Sequence, residues 1–176
     1  MKILLNILVA LFAASTLWSQ EGPPEGGFTT FHVKAEDPYE YIDYLKENPQ
    51  FLAAGGGDIS GYCMTVSGHD YPGEMFIWNG FSSLEDMMAN ATTYNPYAAP
   101  TALKNMREIK YTSFWKTLTP FELVPGFERV TRVSIKPENV LAFLQSTQVL
   151  EAAMKAAGED FQLAVFAPIG GGPEGN

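Results

Sequence analysis

Residues 28–45 read FTTFHVKAEDPYEYIDYL, a β-rich run that is followed at once by the signals of a helix start. The residues up to Ala35 have the β-branched and aromatic content of a strand. Asp37 can cap a helix, Pro38 suits its first position and Glu40 can reach back to the cap. The stretch therefore predicts a strand that leads directly into a helix.

The same pattern recurs later in the chain. Residues 31–73 align without a gap on residues 133–175, and IKPEN at 135–139 stands where VKAED stands at 33–37. Identical residues are few, but the apolar positions, the helix start and a glycine turn keep the same register. Matched spacing of this kind within one chain is typical of an internal structural repeat.

The first copy, residues 28–118, reads as strand, helix, strand, strand, helix, strand. Asn48 and Pro49 kink or end its first helix, and a capping box at residues 82–85 opens the second. This βαββαβ order is the ferredoxin-like split unit and predicts an α+β fold. The strands are predicted over 28–35, 59–66, 75–81 and 109–118, with a further helical segment over 100–107.

A connector over 119–127 leads into a shorter second copy, residues 128–176. Its pattern predicts a strand over 128–135, a helix over 140–157 and a strand over 161–167. The chain then stops within the expected hairpin turn, which would leave an unpaired strand edge and an uncovered sheet. We therefore expect a truncated second unit that lacks about 50 residues resembling 74–123, unless a partner chain completes it.

The beginning of the chain has the layout of a secretory signal peptide. Lys2 precedes an apolar run and then small residues, so residues 1–19 are predicted to be a signal peptide and residues 20–27 a flexible leader. The apolar run contains Asn6 and is short for a membrane span, although an uncleaved anchor is the alternative. The prediction is a periplasmic or secreted protein with no stable membrane association after cleavage.

The composition is that of an acidic globular protein. Of 176 residues 46% are hydrophobic, and 20 acidic against 11 basic side chains give a net charge of −9. Such a polyanion is repelled by nucleic acids, so no nucleic-acid partner is expected. Cys63 is the single cysteine, which excludes an intrachain disulfide and a four-cysteine zinc site. We expect it to be a buried core thiol, at the position that Val165 holds in the second copy.

The repeated βαββαβ unit resembles the dimeric α+β barrels, a superfamily that includes antibiotic-biosynthesis-monooxygenase and stress-responsive-barrel domains. The resemblance covers residues 28–176 and rests on topology and patterning. It implies a barrel in which two units pack sheet to sheet, either as a tandem pair or as a homodimer. Members include cofactor-free oxygenases, haem-degrading enzymes and plain binding proteins, so the fold does not choose the function.

Few side chains in this sequence are candidates for catalysis or ligand binding. His32 alternates with Phe31 and Val33 and so points to the opposite face of its strand, where it could act as a general base. Haem-degrading members of the superfamily use Asn, Trp and His groups, and the resemblance implies catalytic roles for His32 and Asn79. The ligand-binding candidates on the same grounds are Trp78, Tyr111 and Trp115. The alternative is a structural histidine and a core filled by aromatic residues.

Metal and cofactor signals are weak. His69 and Asp70 lie in a predicted hairpin turn, and no zinc-binding spacing occurs, so no metal site is expected. No cofactor is predicted, and haem enters only through the resemblance. An apolar pocket mouth could be lined by Met87, Met88, Met106, Tyr94 and Tyr97.

Three functions stay open at this point. The leading hypothesis is an exported protein that binds a small flat apolar or aromatic ligand in the barrel. The second is a cofactor-independent oxygenase or a haem-handling enzyme, and the third is a structural protein without a ligand.

Overall fold

A computed structural model describes residues 26–173 of the chain. Over this range the fold is α+β, with one five-stranded antiparallel sheet and five α-helices. The strands are β1 (Gly27–Ala35), β2 (Ile59–Met64), β3 (Glu74–Phe81), β4 (Arg107–Thr117) and β5 (Phe166–Gly171). The helices are α1 (Pro38–Glu47), α2 (Gln50–Ala53), α3 (Leu84–Ala91), α4 (Thr101–Met106) and α5 (Val140–Ala156).

The strands lie side by side in the order β2-β3-β1-β4-β5, and every neighbouring pair is antiparallel. The first four strands, with α1 and α3 as the connecting helices, have the order of a ferredoxin-like unit. The predicted α+β class and βαββαβ order are therefore confirmed. The strand ends agree to within about two residues, because turn and capping residues mark them in the sequence.

The helix starts follow from capping side chains. The Asp37 carboxylate accepts hydrogen bonds from the backbone N–H groups of Tyr39 and Glu40, at 2.9 and 3.1 Å. At α3 the cap is Ser83, one residue later than the predicted box at 82–85. Its Oγ accepts from the Asp86 N–H at 3.0 Å and donates to the Asp86 carboxylate at 2.7 Å, so aspartate replaces the expected glutamate.

Helices cover one face of the sheet, here called the helix-side face. Its core is formed chiefly by Phe31, Val33, Tyr41, Leu45, Met75 and Ile77. Because side chains alternate along a strand, Phe28, Thr30 and His32 lie on the opposite face, here called the distal face. The segment after β4 reaches this distal face, where Phe121 packs against Phe28 with ring centroids 5.4 Å apart.

The second copy differs from its prediction in two strands. Residues 128–135 form no strand, and seven of these eight residues are exposed. The first copy's β1 is held between β3 and β4, whereas residues 128–135 have no such neighbours, so their backbone cannot form a ladder. The predicted strand over 161–167 is observed instead as β5, which pairs with the free edge of β4. The helix predicted over 140–157 is confirmed as α5.

Residues 1–25 and 174–176 lie outside the described range. The predicted signal peptide over 1–19 lies there, as does most of the predicted leader over 20–27. The leader prediction is too long at its end, because Gly27 already belongs to β1 and Gly26 accepts a hydrogen bond from Thr117 at 3.1 Å. Within residues 26–173, none of the helices has the length and apolar character that a transmembrane span needs.

Candidate functional site

The candidate site residues named from the sequence lie on opposite faces of the sheet. Trp78 pairs with Thr30, and Tyr111 pairs with His32, so these side chains share the distal face. Trp115 belongs to the same face, since its Nε1 donates to Thr30 Oγ1 at 3.0 Å. Asn79 follows Trp78 directly and therefore projects from the helix-side face. His32 and Asn79 cannot contact one substrate without crossing the sheet.

His32 is held firmly on the distal face. Its ring stacks on Tyr111 at 4.2 Å and on Phe76 at 5.3 Å between centroids. Its Nε2 lies 3.2 Å from Thr30 Oγ1, while the buried Nδ1 has no partner among the described residues. Burial first, and then the charge of Arg132, lowers the pKa of His32 to about 4. The imidazole is therefore neutral near pH 7, and the geometry is that of a packed aromatic ring.

The two tryptophans are also engaged by the protein. Trp78 covers Gly61, where an added Cβ would overlap the indole ring, and it packs on Phe28 at 5.8 Å between centroids. The Trp115 N–H is used by Thr30. These contacts are those of aromatic residues that fill the distal face, and both indoles stay half-buried.

Cys63 lies on β2, opposite Phe76. It is half-buried rather than fully buried as expected. Burial and the nearby charge of Glu128 raise the pKa of the thiol to about 11. The side chain is thus a protonated thiol under ordinary conditions and a poor nucleophile.

The predicted turn residues His69 and Asp70 are exposed, and the Asp70 backbone N–H donates to the Glu74 carboxylate at 2.8 Å. Among residues 26–173, no cluster of three or more histidine, cysteine or acidic side chains could hold a metal ion.

The helix-side face contains an opening that the sequence did not reveal. It lies over the sheet between α2 and α3, and we call it the helix-side cleft. An inner cavity of about 100 Å³ adjoins an outer one of about 340 Å³. Both are lined by Phe51, Asn90, Tyr94, Pro96 and Arg107, and the inner one also by Phe31, Asn79 and Phe114.

Asn79 lies in the wall of the inner cavity. The residue is 5% exposed, and its Oδ1 is buried without a hydrogen-bond partner in the described part of the chain. Gly55 presses against its amide so closely that an added Cβ would overlap it. A buried polar atom without a partner is costly, which marks this position as one where an interaction is missing.

Arg107 supplies the charge of the cleft. Its Nη1 donates to Tyr41 Oη at 2.6 Å, and its guanidinium lies over the Phe31 ring, 4.8 Å from the centroid. Its Nε is buried without a described partner. Burial raises the pKa of Tyr41, although Arg107 opposes this, so the phenol stays neutral. None of the three ion pairs among the described residues includes Arg107.

Of the residues expected at a pocket mouth, only Tyr94 lines the cleft. Met87 is fully buried in the core, Met88 and Tyr97 are about half and two-thirds exposed, and Met106 packs beside the core. Arg107 was missed because it reads as one more charged residue before a strand. The one available signal was the loop at 94–97, which holds two tyrosines and a proline.

No protein-family model matches this chain, and a comparison with curated proteins finds no match either. The helix-side cleft therefore has to be interpreted from its own geometry.

Proposed function

We propose that this protein binds a small organic ligand in the helix-side cleft. The observation that carries the proposal is the pair of unpartnered buried atoms, Asn79 Oδ1 and Arg107 Nε, whose side chains line one cavity. The outer cavity, at about 340 Å³, lies at the lower end of the volumes of small-molecule sites, and aromatic walls with a few polar groups are typical of such sites. The proposed function is still the binding of a small ligand, as expected from the sequence. The proposed site, however, lies on the helix-side face of the sheet instead of in a barrel interior.

The enzymatic alternative has less support. It required His32 and Asn79 to act on one substrate, and the two lie on opposite faces of the sheet. A histidine-bound haem does not fit the cleft, since no histidine is among its described lining residues. A structural role without a ligand is the outcome that the following experiment would reveal.

The test is a screen of small fragments against the ¹⁵N-labelled protein, read from its amide chemical shifts. We expect fragments to shift the signals of α2, of the end of α3 and of the loop at 92–100. Ala91→Phe should abolish these shifts, because Ala91 lines the inner cavity. Ala89→Phe places the same ring on the exposed side of the same helix and should leave binding unchanged. Equal binding by both variants, or no fragment in the cleft, would refute the proposal.

A further inference from the structure

We infer that the ligand of the helix-side cleft is a monocarboxylate with a flat apolar body, and that Arg107 is its counter-ion. This inference rests on the proposed function and names the chemistry of the ligand. It starts from charge, since the chain carries a net charge of −9. The described lining of the cleft nevertheless contains no acidic residue and a single charged one, Arg107.

The partners of Arg107 are all neutral. A phenol oxygen accepts from Nη1, and the rings of Phe31 and Tyr41 lie 4.8 and 5.9 Å from the centre of the guanidinium. A half-buried cation without a counter-charge is unfavourable, because burial removes part of its hydration. An anion bound in the cleft would supply the missing counter-charge.

The free edge of the guanidinium selects the type of anion. Tyr41 occupies Nη1, which leaves the edge formed by Nε and Nη2. Nε has no described partner and is buried, so a ligand reaches this edge only when the Arg107 side chain shifts to admit it. Two parallel N–H groups on one edge match the two oxygens of a carboxylate. A single guanidinium neutralises a single negative charge. A phosphate dianion would therefore keep one uncompensated negative charge between apolar walls.

The walls select the rest of the molecule. Phe51, Tyr94 and Phe114 give the cleft flat aromatic sides, which favour an aromatic or conjugated body. Asn79 Oδ1 accepts hydrogen bonds but is buried, so a hydroxyl or N–H group on that body would satisfy it only when the Asn79 side chain moves toward the cavity.

The experiment compares trans-cinnamate with cinnamamide, two molecules of the same shape that differ in charge. Titrations followed by amide chemical shifts give both dissociation constants. We expect the wild type to prefer the acid by at least about tenfold, as a charge-assisted pair requires. Arg107→Gln should remove this preference while the amide still binds. Lys104→Gln removes an equal charge from the exposed side of α4 and should keep the preference.

The outcomes separate the two proposals. Equal affinity of the wild type for acid and amide, or a preference that persists in Arg107→Gln, refutes the carboxylate inference and leaves the cleft as a binding site. If neither molecule shifts the cleft signals at millimolar concentration, the carboxylate inference fails, and the fragment screen decides the proposed function separately. Should Arg107→Gln not fold, the Arg107 Nε–H signal of the wild type decides, since the acid should shift it and the amide should not.

Discussion

Arg107 donates a hydrogen bond from Nη1 to Tyr41 Oη over 2.6 Å, and this contact joins the start of β4 to α1. The two residues are 66 positions apart in the chain. The contact holds the guanidinium against the Phe31 ring and turns its other edge away from Tyr41. The charge of the helix-side cleft is thus positioned by a residue that does not itself line the cleft.

Tyr41→Phe tests this positioning. The ring remains, but the acceptor for Nη1 is lost, so we expect the free energy of unfolding to fall by about 1 kcal/mol. Carboxylate binding should weaken while the fold persists. Urea unfolding and the cinnamate titration measure the two effects. Tyr39→Phe changes an exposed residue of the same helix and should stay within about 0.5 kcal/mol of the wild type. Equal losses in both variants would show that the hydrogen bond contributes nothing.

His32 makes stability depend on pH. Its pKa is lowered from 6.5 to about 4 in the folded protein, so the unfolded chain takes up the proton first as the pH falls. The free energy of unfolding should therefore decrease between about pH 6.5 and about pH 4, by about 2 kcal/mol on going from about pH 7 to about pH 5.

Urea unfolding at the two pH values checks this for the wild type and for His32→Gln. The loss should be clearly smaller in His32→Gln and unchanged in His69→Gln, which alters the exposed histidine of the turn. A full loss in His32→Gln would assign the pH dependence to other groups.

Gly68 and Gly73 form a matched pair in the hairpin between β2 and β3. Both have positive φ, 71° and 77°, so alanine costs about 1–2 kcal/mol of backbone strain at either position. At Gly68 an added Cβ meets open space, whereas at Gly73 it would overlap the Ala35 carbonyl oxygen. The Gly73 carbonyl also accepts from the Ala35 N–H at 2.8 Å. Gly73→Ala should therefore lose roughly 2 kcal/mol more than Gly68→Ala in thermal unfolding, and similar losses would contradict this turn geometry.

The two halves of the chain should differ in their sensitivity to truncated side chains. Met87→Ala removes a fully buried side chain from α3 and should cost about 2–5 kcal/mol. Val149→Ala shortens a side chain on α5 that is 71% exposed, and it should cost less than about 0.5 kcal/mol. Urea unfolding of both variants makes the comparison. A large loss in Val149→Ala would mean that α5 is covered in solution, as it would be in a homodimer.

The alternation of side chains along a strand predicts which face of the sheet each residue occupies, as the distal face shows. Alternation placed His32 opposite Phe31 and Val33, and the structure confirms this. The same rule separates Trp78 from Asn79, but the resemblance to haem-degrading enzymes grouped them as one site. Local alternation was the better guide, since a strand has a period of two whatever its function.

The second copy shows where pattern reading fails. Residues 128–135 have the composition of a strand, yet a strand forms only where neighbours supply hydrogen bonds. Those neighbours are absent from the described sheet, and β4 pairs with residues 166–171 instead. Which segment takes a free edge depends on competition between distant parts of the chain.

The sequence by itself determined the α+β class, the βαββαβ order, the start of α1 at Asp37 and the face of His32. Each of these follows from signals a few residues apart, namely side-chain period, capping and turn residues. The tertiary structure alone decided the helix-side cleft, the pairing of β5 with β4 and the isolation of the Arg107 charge. These depend on how segments far apart in the chain pack together, and a cavity is the space that such packing leaves open.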